Sequence, residues 1–138
     1  MNKILELYLE VYEKGREDAG MAAYKIAEFY TEKGNHKEAF EWYRKGAELG
    51  DDRAICELGD CYLMGMGVEK DLEKAQKCYQ MAYKKQGAGA ERAAEALWRI
   101  HRANGGTEEK EQFLRDIDLG NELVIRNDCE KEGENGIF

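Results

Sequence analysis

Apolar and small residues fall at helical spacing in segments that recur along the chain. Ala39-Phe40-Glu41-Trp42-Tyr43-Arg44-Lys45-Gly46-Ala47 lies over Ala75-Gln76-Lys77-Cys78-Tyr79-Gln80-Met81-Ala82-Tyr83, with the leading alanine and the tyrosine four later repeating at an offset of 36 residues. Ile26-Ala27-x-x-Tyr30 lies over Leu58-Gly59-x-x-Tyr62 at an offset of 32. The pattern predicts two helix pairs, each a first-type helix followed by a second-type one. The difference in offset falls in the loop inside each pair, Glu32 to His36 in the first unit and the longer Met64 to Asp71 in the second. Glycines there supply the positive φ that ends a helix, and Asp71 is placed to cap the helix that carries Ala75.

The ends carry weaker copies. Tyr12-Glu13-Lys14-Gly15 resembles Tyr43-Arg44-Lys45-Gly46, so residues 2–16 read as a second-type helix acting as an N-terminal cap. Ala93-x-x-x-Leu97-Trp98-x-x-His101 overlies Ala54-x-x-x-Leu58-Gly59-x-x-Tyr62, followed by a helix expected from about Thr107 to Arg126. The expected organisation is one helical domain over 1–126, with repeats at about 20–50 and 51–86, a degenerate unit at 90–126, about seven helices in all, and an acidic tail at 127–138. Gly59 or Ala27 on first helices and Ala39 or Ala75 on second ones let the axes approach, while Tyr30, Tyr43, Tyr62 and Tyr79 fill the space with hydroxyls near the surface. Trp98 occupies a position that wants Gly or Ala, which predicts a wider or rotated third pair.

The run Ala54-x-x-x-Leu58-Gly59-x-x-Tyr62-x-x-Gly65-x-Gly67-Val68-x-Lys70-Asp71-x-x-Lys74-Ala75-x-x-x-Tyr79-x-x-Ala82 resembles a near-complete unit of the Sel-one-like repeat family, relatives of the tetratricopeptide repeats. The resemblance covers roughly Ala22 to Ala103. It implies a right-handed superhelix (α-solenoid) of antiparallel helix pairs, with first-type helices lining a concave face that binds protein or peptide. Some secreted members are similar to disulfide-stapled scaffolds. This chain departs from them, with Ile55 three residues before Leu58 and Tyr83 after Ala82.

Composition agrees with an all-α chain: 138 residues and no proline, a residue that would break a helical ladder. The net charge of -8 is concentrated at the end, where Thr107 to Phe138 holds ten Asp/Glu against four Lys/Arg. That sign argues against nucleic acid and anionic membranes as partners. Acids within the first turns and the lack of any apolar run of about 20 residues point to a soluble, cytoplasmic chain. Cys56, Cys61, Cys78 and Cys129 form no Cys-x-x-Cys pair and read as buried or half-buried thiols.

The chemistry-bearing residues lack the spacing that catalysis or metal binding needs. His36 and His101 have no His or Cys three or four residues away, so no metal site and no cofactor are expected. The carboxylate pairs Glu28 with Glu32 and Glu57 with Asp60 share helical faces, as ordinary charged helices do. Gly65-Met66-Gly67 follows a helix and lacks the lysine-serine signature of a phosphate loop. A non-enzymatic module is expected.

With Ile26, Leu58 and Leu97 turned into their pairs, the register places Lys25, Glu28, Phe29, Glu32, Glu57, Asp60, Cys61, Met64, Arg99 and Ile100 on the concave face. Phe29, Met64 and Ile100 would be apolar anchors in an acidic groove suited to a basic or amphipathic segment of a protein partner. Phe29 and Ile100 have an alternative, to pack against the adjacent pair. The chain itself is expected to be a monomer or a weak homodimer. The second functional reading is a structural or regulatory subunit of an assembly held by its convex face or its termini, and a third is a repeat protein that binds or hydrolyses a small ligand. The tail is expected either to be disordered or to dock through Ile137 and Phe138.

Overall fold

The computed structural model describes residues 3–118. These form seven helices: α1 (Lys3–Lys14), α2 (Ala19–Glu32), α3 (His36–Glu48), α4 (Asp52–Met64), α5 (Leu72–Lys85), α6 (Ala90–Ala103) and α7 (Lys110–Asp118). No strand occurs among the described residues. The capping helix expected over 2–16 ends at Lys14, and residue 2 lies outside the described residues. The end of the last helix towards Arg126, Cys129 and the tail at 127–138 lie outside the described residues.

The caps follow from residues the sequence places at the boundaries. Asn35, Asp51 and Asp71 each accept a hydrogen bond from the backbone N–H three residues on, at 3.3, 3.0 and 3.1 Å, and so start α3, α4 and α5. The longer loop of the second unit has a specific seat. Gly67 has φ +79°, and a Cβ there would stand 2.1 Å from the carbonyl oxygen of His36. The loop after α4 therefore lies directly on the first residue of α3, and only glycine permits both the conformation and the approach.

The helices form a zigzag stack. α2 packs on α3 and α4 on α5 within the pairs, α3 on α4 and α5 on α6 between them, and the first-type helices touch along one side, α2 with α4 and α4 with α6. Ile26, Leu58 and Leu97 are all fully buried, as their register requires. Ala23, Ala27, Ala54, Ala75, Ala82 and Ala93 are fully buried too, so backbones rather than long side chains set the helix separation. Gly59 does so most directly, because a Cβ on it would lie 2.9 Å from the ring of Tyr79.

The tyrosines are more deeply placed than expected. Tyr79 is fully buried and donates its hydroxyl to the carboxylate of Asp60. The hydroxyl of Tyr43, also buried, lies 3.2 Å from that of Thr31. Rather than reaching solvent, these hydroxyls are satisfied across the helix pair, which avoids a desolvation penalty of about 1–3 kcal/mol each.

The third pair is rotated. In α4 and α5 rising residue numbers meet falling ones, as Gly59 with Tyr79 and Tyr62 with Lys74, the mark of an antiparallel pair. Between α6 and α7 they rise together: Glu95 with Lys110 at 2.6 Å, then Trp98 and His101 with Phe113 at ring-centroid distances of 5.7 and 4.4 Å. Trp98 occupies the place of Gly59, and its bulk rules out the close crossing seen in the second pair.

Candidate protein-interaction face

The exposed side of α2, α4 and α6 carries the residues expected to meet a partner, but the three helices present them differently. On α2, Lys25 and Glu28 form an ion pair at 3.4 Å, Glu32 is exposed, and Phe29 is half-buried against Tyr30 with the Lys33 ammonium 5.5 Å above its ring. These residues continue onto α1. Ile4, Leu5 and Tyr8 with Lys25, Glu28, Phe29 and Glu32 line a cleft of about 240 Å³. It has an apolar floor, and its rim carries Glu28 and Glu32 with Lys25.

On α4 the acids are already engaged. Arg92, in the first turn of α6, reaches back to Glu57 at 3.1 Å and to Asp60, while Asp60 also accepts the Tyr79 hydroxyl. Burial pulls the guanidinium of Arg92 down, but Asp60 and Glu57 more than offset it and hold its pKa above the ordinary arginine value. Burial, reinforced by the hydrogen bond to the Asp60 carboxylate, raises the Tyr79 phenol well beyond the usual range. Glu57 and Asp60 thus join α4, α5 and α6 together.

Cys61, expected on this face, is buried beside Glu57 and Asp60 in a crevice of about 40 Å³ that also includes Thr31, His36 and Tyr43. Met64 is the exposed apolar residue of α4, at 62 %. On α6, Arg99 is exposed, whereas Ile100 is buried and takes the alternative of packing into the stack. The structure therefore brings Lys25, Glu28, Phe29 and Glu32 together, joins Glu57 and Asp60 to Arg92, and removes Cys61 and Ile100 from the surface.

The thiols behave as core residues. Cys56, Cys61 and Cys78 are buried and unoxidised, and Cys56 donates to the carbonyl of Gly89 at 3.3 Å. Burial pushes Cys56 up to about 11 and Cys61 up to about 12, the latter with help from the charges of Glu57 and Asp60, and raises Cys78 further. A nucleophilic thiol needs the opposite shift. His101 stacks on Phe113 and bonds Glu108 at 2.8 Å, which fastens the turn before α7.

Arg92 was not singled out from the sequence, although a signal exists. Arg53 and Arg92 both immediately precede the leading alanine of a first helix, Ala54 and Ala93. Both reach back to the preceding first helix: the Arg53 guanidinium lies 4.5 Å from the ring of Tyr24 on α2, as Arg92 lies on α4. One repeat position thus links each first helix to the one before. Ile4 and Leu7 on α1 were missed for a different reason, since nothing in a helical pattern says which of two apolar stripes will be exposed.

Residues 20–51 and 52–86 each match the model of the Sel1 repeat. The chain is a Sel1-like repeat protein. Its two matched repeats coincide with α2–α3 and α4–α5. Over 58 residues, 42% of the chain, it is 43% identical to an uncharacterised Sel1-like repeat-containing protein of Schizosaccharomyces pombe. Over 65 residues, 47% of the chain, it is 31% identical to the ERAD-associated E3 ubiquitin-protein ligase component HRD3A of Arabidopsis thaliana. It spans about a tenth of each of these curated relatives, 9% and 10%. The crystal structure of a Sel1 repeat protein from Oxalobacter formigenes superposes with a TM-score of 0.62 at 26% identity, covering 87% of this chain and 49% of that one. No described helix is long and apolar enough to cross a membrane.

Proposed function

We propose that this Sel1-like repeat protein is a non-catalytic adaptor that holds a segment of another protein on the face formed by α2, α4 and α6. The observation that carries the reading is the open row on α2, where Phe29 lies between Glu28 and Glu32 beside an unfilled cleft. An apolar anchor site with a charged rim is the usual anatomy of a small protein-binding surface. The family supports the same class of function, since Sel1 repeats serve protein interaction, and HRD3A is by its name a component of a larger ligase assembly. The acidic rim favours a basic or amphipathic segment. The working form of the chain is a monomer or weak homodimer in the cytoplasm, with neither nucleic acid nor membrane as partner.

Within that row the residues divide by exposure, and the reading follows that division. Lys25, Glu28, Phe29, Glu32, Met64 and Arg99 are the residues offered for contact, and Glu57 and Asp60 support the face from within. A second reading, a structural subunit gripped by its convex side, draws on α5. There half-buried Lys77 and exposed Lys84 accompany exposed Leu72 and Met81. The two readings separate by capture from the native cell. Phe29→Ala with Glu32→Lys should lose the partner that the unaltered chain retains, whereas loss only with Lys77→Glu and Lys84→Glu would select the convex side.

A further inference from the structure

The two asparagines among the described residues stand in opposite chemical situations. Asn35 starts α3, where its side-chain oxygen accepts the Glu38 N–H, and the next residue is His36. Asn104 ends α6 and is followed by Gly105, both of them exposed. The Gly105 N–H donates to the Arg102 carbonyl at 3.1 Å and the Gly106 N–H to the His101 carbonyl at 2.9 Å, the paired bonds that close a helix whose next residue is left-handed. Gly105 has φ +91°, so that closure calls for glycine. The same choice puts an amide nitrogen without a side chain of its own beside an asparagine carboxamide, and a Cβ at 105 would meet nothing within 4 Å. The turn that needs this glycine also restrains its nitrogen. At ψ 14° the Gly105 nitrogen nearly eclipses the Asn104 nitrogen and so stands away from the Asn104 side chain. His101 pins this form: its imidazole bonds Glu108 at 2.8 Å and packs so closely on Gly106 that a Cβ there would lie 2.1 Å from Nε2.

We propose that Asn104-Gly105 is a self-modification site that reacts when the α6–α7 turn opens and whose product keeps the turn open. The Gly105 nitrogen attacks Cγ of Asn104, the new C–N bond replaces the bond to Nδ2, and the proton of the attacking amide leaves with that nitrogen as ammonia. Water then opens the succinimide, at Cγ to give aspartate or at the main-chain carbonyl to give isoaspartate. No other reactant is needed. Either product places a carboxylate beside the last carbonyls of α6, at the negative end of its dipole, and near Glu108 and Glu109 in the chain. Isoaspartate also adds a methylene to the main chain inside the turn, which breaks the spacing of the two closing hydrogen bonds. α7 then loses its register on α6, and Phe113 moves off the Trp98 and His101 rings it packs against. The change runs one way, so the fraction of chains with α7 fastened falls with age.

The test incubates the full chain at mildly alkaline pH, folded and in urea, and follows both asparagines by peptide mass mapping, with an isoaspartate-specific methyltransferase to tell the two products apart. Conversion at Asn104 should be at least about tenfold slower in the folded chain than in urea, and Glu108→Gln should speed the folded reaction by about threefold or more. Asn35 should remain an amide in the folded chain over the same time. The modified chain, separated by anion exchange, should exchange its α7 amides at least about tenfold faster than the unmodified one, while α2–α5 stay protected. Asn104→Gln, whose longer side chain forms no succinimide, should keep α7 protected after the same incubation. Equal rates folded and in urea, conversion of Asn35 as fast as Asn104, no acceleration by Glu108→Gln, or unchanged α7 exchange in the separated product overturns the proposal. So does loosening of α7 during incubation of Asn104→Gln, because the change then has another cause.

Discussion

The same face of the stack is built in two ways. At α4 its acids are tied down: Asp60 holds both Tyr79 and Arg92, Glu57 holds Arg92, and the polar row doubles as the fastening of three helices. One repeat earlier, at α2, the row holds the local Lys25–Glu28 ion pair, Glu32 is exposed, and a cleft lies beside Phe29. The difference traces to single residues. α6 brings Arg92 to α4, whereas α4 brings Arg53 to the ring of Tyr24 and leaves the acids of α2 alone. A carboxylate at a given repeat position is therefore structural or available according to which neighbour reaches it. Substitutions at the two places should separate stability from binding.

The widest separation is expected at the aromatic residues. Tyr79→Ala empties a fully buried site and orphans the Asp60 contact, and should cost about 3–5 kcal/mol in urea unfolding. Phe29→Ala, at a half-buried position, should cost about 1 kcal/mol or less and act on the partner instead. The loops come next. Gly67→Ala meets both a positive φ and the His36 carbonyl and should cost about 2–3 kcal/mol, whereas Gly34→Ala, with φ +80° but open space around it, carries only the conformational term of about 1 kcal/mol. If the two glycines cost the same, the long loop is not fastened to α3.

A smaller effect is expected at the acids. Asp60→Ala leaves the Tyr79 hydroxyl unsatisfied and should cost about 1–3 kcal/mol, with coupling to Arg92→Ala in a double-mutant cycle. Glu32→Ala should stay within about 0.5 kcal/mol. The smallest concerns α7, which depends on carboxylates the other pairs do not need. The hydrogen bond from Lys110 holds Glu95 below its ordinary pKa, and that from His101 does the same for Glu108. A depressed folded-state value means the contribution is present above the unfolded carboxylate range and fades as pH falls through it. Hydrogen exchange should therefore show α7 loosening between about pH 5 and pH 3 while α2–α5 remain protected, and equal loosening throughout would contradict the assignment.

Much of the fold could be read in advance because the repeat constrains it twice, through helical spacing and through small residues at crossings. Ile26, Leu58 and Leu97 were placed correctly by register, and Asp71 by its position before the α5 helix. The rotation of the third pair was legible in Trp98, whose bulk contradicts the repeat at one identifiable position. The site was less legible. Register put Cys61 and Ile100 on the first-helix face, but that face curves into contact with neighbouring helices at its edges, and a one-dimensional pattern contains no such curvature. Asp60 looked like any surface acid because its partners, Tyr79 and Arg92, lie 19 and 32 residues away. The exposure of Ile4 and Leu7 required knowing which side α2 would take.

We propose that α2 offers its row to a partner while α4 uses the equivalent row to hold the stack together, and this division can be tested. It is tested most directly by quantitative capture from the native cell with three chains in parallel: unaltered, Phe29→Ala with Glu32→Lys, and Asp60→Asn, each with its thermal melt. The α2 variant should keep its melt and lose at least about nine-tenths of the partner, as expected for an interface anchor. Asp60→Asn should melt earlier yet retain the partner at temperatures where it is folded. Full recovery by the α2 variant together with loss in a folded Asp60→Asn chain would contradict it.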